Sequence, residues 1–429
     1  MKKDLLPIAI IGGGPVGLAA AAQLSLKRRP FILFEAGPTL GTSFLDYEHV
    51  RLFSTWRYNM DSAAKKLLKM HGKKLPDEEL LPLAAEIVTD YLKPLGELPE
   101  IAPYVHLNSK VIHISRSGLD KMKDHNRENK PFLLIVENDG LYKEYEAGAV
   151  IDATGTWQNP NPLVSGGMQQ KEYTFHSRLP DILNKDCATF SGKNIAVAGS
   201  GHSAFNTILD LLELQKSSPE TEITWLVRGK VQQSLFGGGD TDQLAARGEL
   251  GNRMKESVDA GLLRVEEECF IRQIERDENN RMLLTTSQKD KSKILGPYDE
   301  VIANTGSRPD FSFLREIRYQ SDPSLESVPA LAPLIDPNVH SCGTVRPHGE
   351  EELRQPEKDF YIVGAKSYGR APTFLLATGY EQIRSVVAYL TGDLEASKRV
   401  ELSLPETGVC SSRPVKLQQL AANSGKACC

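Results

Sequence analysis

The strongest constraint on this chain is a plan written twice. Residues 7–11, Pro-Ile-Ala-Ile-Ile, are a short apolar run of the kind buried in a parallel sheet. Gly12-Gly13-Gly14-Pro15-Val16-Gly17 follows, then helix-forming residues 18–26 and a second apolar run, 31–34, ending in Glu35. Strand, glycine turn, helix, strand and acid, in that order, make the dinucleotide-binding arrangement. Gly12 permits the tight turn, Gly14 lets the backbone approach a pyrophosphate beside Pro15, and Gly17 lets the helix pack on the strand. The helix N-terminus offers free N–H groups and a positive dipole end to the diphosphate. Glu35, 18 residues after Gly17, is placed to accept the hydroxyls of a ribose.

The second copy begins at residues 194–198, Asn-Ile-Ala-Val-Ala. Gly199-Ser200-Gly201-His202-Ser203-Ala204 is a GxGxxA turn opening a helix through about residue 214, and residues 222–227 form the second strand. That strand ends in Arg228, with Lys230 close by, rather than in an acid. A carboxylate there would repel a 2′-phosphate and an arginine accommodates it, so this site reads as NADP(H)-selective. A solvated strand-end charge is the plainer alternative for Arg228. Each copy continues alike. Apolar β-patterned stretches at 106–115, 132–137 and 142–151 end in Asp152-Ala153-Thr154-Gly155, and stretches at 263–274, 282–286 and 298–304 end in Thr305-Gly306-Ser307-Arg308-Pro309. Such a duplication is far more specific than either glycine motif alone.

The fold class expected is therefore α/β, with two Rossmann-like three-layer ββα domains, each carrying a β-meander. On these motifs the chain resembles the two-dinucleotide-binding-domain flavoproteins of the pyridine nucleotide–disulfide oxidoreductase superfamily, over roughly residues 5–395. The resemblance implies FAD at the first site, NADPH at the second, and the Thr154-Gly155 and Thr305-Gly306 turns beside the cofactors. It also implies a discontinuous FAD domain, 1–163 and 331–395, interrupted by an NADPH domain at 164–330 and followed by a tail, 396–429.

Within that superfamily a disulfide reductase needs a CxxC or CxxxxC pair beside the flavin. Cys187, Cys269, Cys342, Cys410, Cys428 and Cys429 contain no such pair. Residues 153–162, Ala-Thr-Gly-Thr-Trp-Gln-Asn-Pro-Asn-Pro, look like the interdomain linker of class B flavin monooxygenases. His176-Ser177 looks like the end of their fingerprint, although Ser165-Gly166-Gly167 stands where that fingerprint begins with FxG. Residues 41–44 sit where the monooxygenases often carry Gly-Thr-Trp. The aromatic, basic loop at 51–60 is placed to cover the isoalloxazine. By this similarity Asn59 and His176 are the candidate catalytic residues, against interdomain packing for the loop and a satisfied loop histidine for His176.

The third flavin contact is expected after residues 359–365, a strand ending in Gly364. Ala365 stands where the disulfide reductases usually have the Asp that binds the ribityl chain. Arg370 and Thr373, at the start of a helical run over 374–390, would place positive charge and a helix N-terminus at the flavin pyrimidine. The glycine run 236–240, with 247–251, reads either as a lid over nicotinamide or substrate or as an ordinary surface loop.

The function implied is an FAD-dependent, NADPH-consuming monooxygenase in which a flavin C4a-hydroperoxide oxygenates a small nucleophilic substrate. A reductase of a small acceptor or partner disulfide, working through the C-terminal thiols, is the closest alternative. A non-enzymatic redox sensor is the third. Cys410 and the vicinal Cys428-Cys429 read as a dithiol for a redox partner or a soft metal ion, or as an inert end. Lys+Arg at 51 against Asp+Glu at 56, a net charge of −5, argue against nucleic acid as partner. Met1-Lys2-Lys3 before an apolar run superficially matches a secretory signal, but that run passes through Gly12-Gly13-Gly14-Pro15. With no unbroken apolar window of about 18 residues either, a cytoplasmic protein without a membrane partner is expected.

Overall fold

A computed structural model describes residues 5–168, 176, 178–242, 244–288, 291–337, 348–371 and 374–402. Thr373, Ser177, Cys342 and the tail thiols Cys410, Cys428 and Cys429 lie outside the described residues.

The first unit opens with β1 (Ile8–Ile11), α1 (Pro15–Leu26) and β2 (Phe31–Phe34). Next come the short helix α2 (Trp56–Asn59) and α3 (Ser62–Met70), whose N-terminus is capped by the Asp61 carboxylate accepting from Ala64 N–H at 2.9 Å. β3 (Val105–His106) leads to the antiparallel meander β4 (Lys110–Arg116), β5 (Phe132–Asn138) and β6 (Leu141–Ala147), and then to β7 (Ala149–Asp152). The second unit repeats the order with β8 (Asn194–Ala198), α4 (His202–Ser217), β9 (Glu222–Leu226), α5 (Ala245–Asp259) and β10 (Arg264–Glu266). Its meander is β11 (Phe270–Arg276), β12 (Met282–Gln288) and β13 (Lys291–Tyr298), followed by β14 (Glu300–Ala303). The chain then supplies β15 (Phe360–Ile362) and α6 (Leu376–Leu390).

The first sheet runs β15-β7-β1-β2-β3 and the second β10-β9-β8-β14, all neighbours parallel. A strand covered on both faces can be apolar throughout, which is why Ile8, Ala9, Ile10 and Ile11 are all buried. Helix α1 is buried almost all round, and Ala19, Ala20, Ala21 and Ala22 are fully covered. Small side chains there let the sheet approach from one side and α6 from the other. β15 and α6 thus complete the first unit, as a discontinuous domain requires.

Phe313, Leu314, Ile317, Leu325 and Val328 pack into the first core with Ile10, Leu33 and Phe360. On the other side of the join, Leu163 and Val164 pack with β8, β9 and the second meander. A buried ionic cluster ties the two parts of the first unit together. Arg116 Nε donates to Glu357 Oε1 at 2.7 Å and Arg127 Nη2 donates to Oε2 at 2.8 Å. Burial pushes the Glu357 carboxyl up, but the bonds from Arg127 and Arg116 outweigh it and hold the group below its usual range. Among the described residues no helix is long and apolar enough to cross a membrane.

Candidate functional site

At the first glycine turn each glycine has its own physical reason. Gly12 has φ +104°, and a Cβ there would meet Ala153 O at 2.6 Å. A Cβ on Gly17 would meet Gly12 O at 1.9 Å, so only glycine lets α1 lie this close to the turn. Gly14 is different: a Cβ there would meet nothing within 4 Å. Gly14 is also the N-cap of α1 and makes no side-chain cap bond, with Pro15 following as the first helical residue. No N-cap side chain occupies the helix end, and the space beside Gly14 is open.

Glu35 reaches this turn from the end of β2. Its Oε2 accepts from Gly13 N–H at 2.6 Å and its Oε1 from Gly37 N–H at 2.8 Å. Desolvation raises its pKa, against the opposing pull of the Gly37 and Gly13 N–H groups. The carboxylate is thus fixed beside the turn before any ribose arrives.

The second turn repeats the geometry. A Cβ on Gly199 would meet Asn304 O at 2.1 Å, and one on Gly201 would meet nothing within 4 Å. Gly201 caps α4 without a side-chain bond. His202 and Ser203 form the first residues of α4, and Ala204 is fully buried beneath them. Arg228 lies two residues beyond the end of β9, exposed, and makes no ion pair among the described residues. A cation free at that strand end is what a 2′-phosphate requires.

The loop at 51–60 reaches the start of the second turn's helix. The Phe53 ring lies 5.2 Å from the His202 ring, and Phe205 flanks His202 at 6.4 Å. His202 is exposed, and both the protein packed around it and the Arg247 cation push its pKa down. Nearby, Asp46 accepts from Trp157 Nε1 at 2.9 Å and pairs with Arg178 at 2.5 Å, tying the first unit to the entry of the second.

The two Thr-Gly turns lead into each other's crossings. Asn161 N–H donates to Gly306 O at 2.9 Å, Arg308 N–H to Asn159 O at 3.0 Å, and Thr305 Oγ1 to Asn161 O at 2.7 Å. The outgoing and returning segments are thus zipped into one paired hinge. Thr305 spends its hydroxyl on that hinge, and Thr154 donates its own to Asp152 Oδ1 at 2.7 Å, with Gly155 following at φ +67°.

Asn59 is buried, but its side chain is already satisfied. Its Oδ1 accepts from Ser54 Oγ at 2.9 Å and its Nδ2 donates to Ser54 O at 2.7 Å, while its carbonyl accepts from Tyr380 Oη at 2.7 Å. These bonds anchor the loop to α6. His176 pairs with Ile302 on the edge of β14, and its ring nitrogen lies 3.2 Å from Glu300 Oε2. Glu300 registers with Ile195, at the start of β8, so the imidazole points away from Gly199 at that strand's other end. The ring also packs 5.1 Å from Phe190. His176 therefore acts in this geometry as a sheet-edge tie, not as a group at either turn.

Gly364 has φ +67° and its N–H donates to Gln382 Oε1 at 2.7 Å, while Arg370 is exposed. The glycine run after β9 packs against the helix that follows it. Two 3-10 turns, Gln233–Phe236 and Gly239–Thr241, lie against α5, where a Cβ on Gly251 would meet Phe236 O at 1.9 Å.

Sequence reading missed Lys366 and its partner Asp152, and it missed the Asp46 hub. A lysine between Gly364-Ala365 and Ser367-Tyr368, inside an otherwise apolar stretch, was the available signal for the first. The hub had none, because its partners are brought together only by the docking of the units.

Two uncapped helix ends behind glycine turns fit two dinucleotides, with Glu35 at one and Arg228 at the other. Comparison with known proteins agrees. Residues 9–333 match the family model for pyridine nucleotide-disulphide oxidoreductases. Among solved structures, the bacillithiol disulfide reductase Bdr (YpdA) from Bacillus cereus superposes with a TM-score of 0.64 at 19% identity, over 90% of this chain and 99% of that one. The FAD-bound cadaverine monooxygenase DfoA from Erwinia amylovora gives 0.63 at 15% identity, over 93% and 98%. The ornithine N-hydroxylase KtzI from Kutzneria sp. 744 gives 0.59 at 16%, over 91% and 98%. Identities this low speak for the fold. No curated protein sequence matches the chain significantly.

Proposed function

The chain belongs to the pyridine nucleotide-disulphide oxidoreductase family, and from that premise we propose that it is an FAD-dependent, NADPH-consuming oxidoreductase of the monooxygenase type, acting on a small nucleophilic substrate. The observation that carries the two-cofactor reading is the pair of glycine-capped helix N-termini at Gly14 and Gly201, each with open space beside its N-cap. When bound, FAD accepts hydride from NADPH and passes the electrons to an acceptor.

The chain's own residues bind and align. The α1 end and Gly14 hold the diphosphate of FAD and Glu35 its ribose. The α4 end and Gly201 hold that of NADPH, and Arg228 selects its 2′-phosphate. Phe53 covers the space between the two turns and limits water there, which favours transfer over leakage.

The described cysteines supply no internal relay. Cys269 is buried, and burial pushes its thiol up to about 11, far from the thiolate that disulfide exchange needs. Cys187 packs against the second core, away from the first turn. Neither described cysteine is therefore placed to take electrons from a flavin, and O₂ is the acceptor the monooxygenase reading names. The test is anaerobic reduction by NADPH followed by mixing with O₂. Reoxidation in two spectrally distinct steps supports oxygenation. Single-step reoxidation with stoichiometric hydrogen peroxide counts against it and favours the reductase reading. That second reading predicts loss of turnover when Cys410, Cys428 and Cys429 are replaced together.

A further inference from the structure

Lys366 is fully buried at the edge of the first site. Its Nζ lies 2.6 Å from Asp152 Oδ2, and neither side chain has any exposed surface. The same Nζ is 3.2 Å from Thr154 Oγ1, and the rings of Phe313 and Phe311 lie 4.5 and 5.3 Å from it. An ammonium and a carboxylate withdrawn from water this completely gain little stability over an apolar pair of the same size. Their use lies in what they fix.

Asp152 Oδ1 accepts from both Thr154 Oγ1, at 2.7 Å, and Thr154 N–H, at 3.2 Å. One carboxylate thus grips the turn by main chain and side chain, and Lys366 Nζ holds its other oxygen at 2.6 Å. The gripped turn is the wall of the first glycine motif, since a Cβ on Gly12 would lie 2.6 Å from Ala153 O and 3.2 Å from Thr154 Cα.

The duplicated unit provides an internal comparison. Asp152 registers with Ile11 at the end of β1, and its counterpart Ala303 registers with Ala198 at the end of β8. The second unit has no carboxylate there, and Thr305 turns its hydroxyl to the interdomain hinge instead. The ion pair therefore serves something the first site needs and the second does not. Ala365 already leaves the strand end without a carboxylate of its own.

We propose that Lys366 is a positioning residue of the first nucleotide site, acting through Asp152 on the Thr154–Gly155 turn so that the turn is set for FAD. This rests on the reading of that site as a flavin site. Lys366 has no exposed surface, so it works through the turn and not by touching the cofactor.

The test is a binding cycle in the full chain, with FAD as the probe. Lys366→Met and Thr154→Val should each weaken FAD binding by about tenfold and change the visible spectrum of bound flavin, with NADPH affinity unchanged. The two changes together should weaken binding little more than either alone, because they act through one turn. Should Lys366→Met fail to fold, Lys366→Met with Asp152→Asn leaves no unpaired buried charge and takes its place in the cycle. A lysine that merely stabilises the core would lower Tm while leaving FAD Kd and flavin spectrum at wild-type values, and that result overturns the proposal. Fully additive losses overturn it as well. A wild-type chain that neither retains nor binds FAD would instead sink the flavin reading on which the proposal stands.

Discussion

The ring of Phe53, in the loop before α2, lies 5.2 Å from the ring of His202, the first residue of α4. Residues 149 positions apart thereby bring a loop of the first unit against the start of the second unit's helix. Phe53→Ala should slow flavin reduction by NADPH by about tenfold, since alignment of donor and acceptor is lost while the folded core is untouched. Rapid-mixing reduction under anaerobic conditions measures it. An unchanged rate would show that the contact only packs the units together.

Two neighbouring glycines should respond oppositely to alanine. Gly17→Ala forces a Cβ to 1.9 Å from Gly12 O and should cost about 2 kcal/mol or more in folding stability. Gly14→Ala places its Cβ in open space at φ −81°, so stability should stay within about 0.5 kcal/mol of wild type. It should nevertheless weaken FAD binding, because the methyl fills the side from which a diphosphate approaches. Denaturant melts and flavin titration separate the two effects.

Arg228 is exposed at the end of β9 with no ion pair among the described residues. Arg228→Ala should lower the preference for NADPH over NADH by about tenfold or more, the scale of a charge-assisted hydrogen bond, with little change in Tm. The ratio of kcat/KM for the two nucleotides reports it directly. An unchanged ratio would leave Arg228 as a solvated charge.

Asp61 caps α3 while fully enclosed, and desolvation lifts its carboxyl to about 6 against the Ala64, Gln23, Ala63 and Ser62 donors. The folded group therefore holds its proton to higher pH than the unfolded one. Its contribution to stability is complete below the unfolded value of 3.8 and is lost as pH rises through about 6. Asp61→Asn keeps the cap acceptor without the charge. At pH 8 it should be as stable as wild type or more so, by at most about 3 kcal/mol, and it should flatten the fall in stability between those values. Tm measured across that range decides it.

The local pattern of Gly12, Gly14 and Gly17, and its repeat at Gly199 and Gly201, made both nucleotide units legible, because a backbone turn with a single steric solution must be spelled in adjacent residues. The discontinuous first domain was legible for the same reason, through the late strand at Phe360–Ile362 and the helix behind it. Asn59 and His176 were harder. Their residue types allow catalysis, and only the folded chain shows the first tied to Ser54 and the second to Glu300.

What the sequence determined by itself is the kind of fold and the chemistry of the two turns, since strand periodicity, glycine sterics and strand-end charge are all local. What tertiary structure decided is how those turns are held. Lys366 finds Asp152 at a separation of 214 residues, and Arg116 finds Glu357 at 241. Such pairs leave no periodic trace, because a buried charge is settled by whichever partner the packed chain delivers within hydrogen-bond distance.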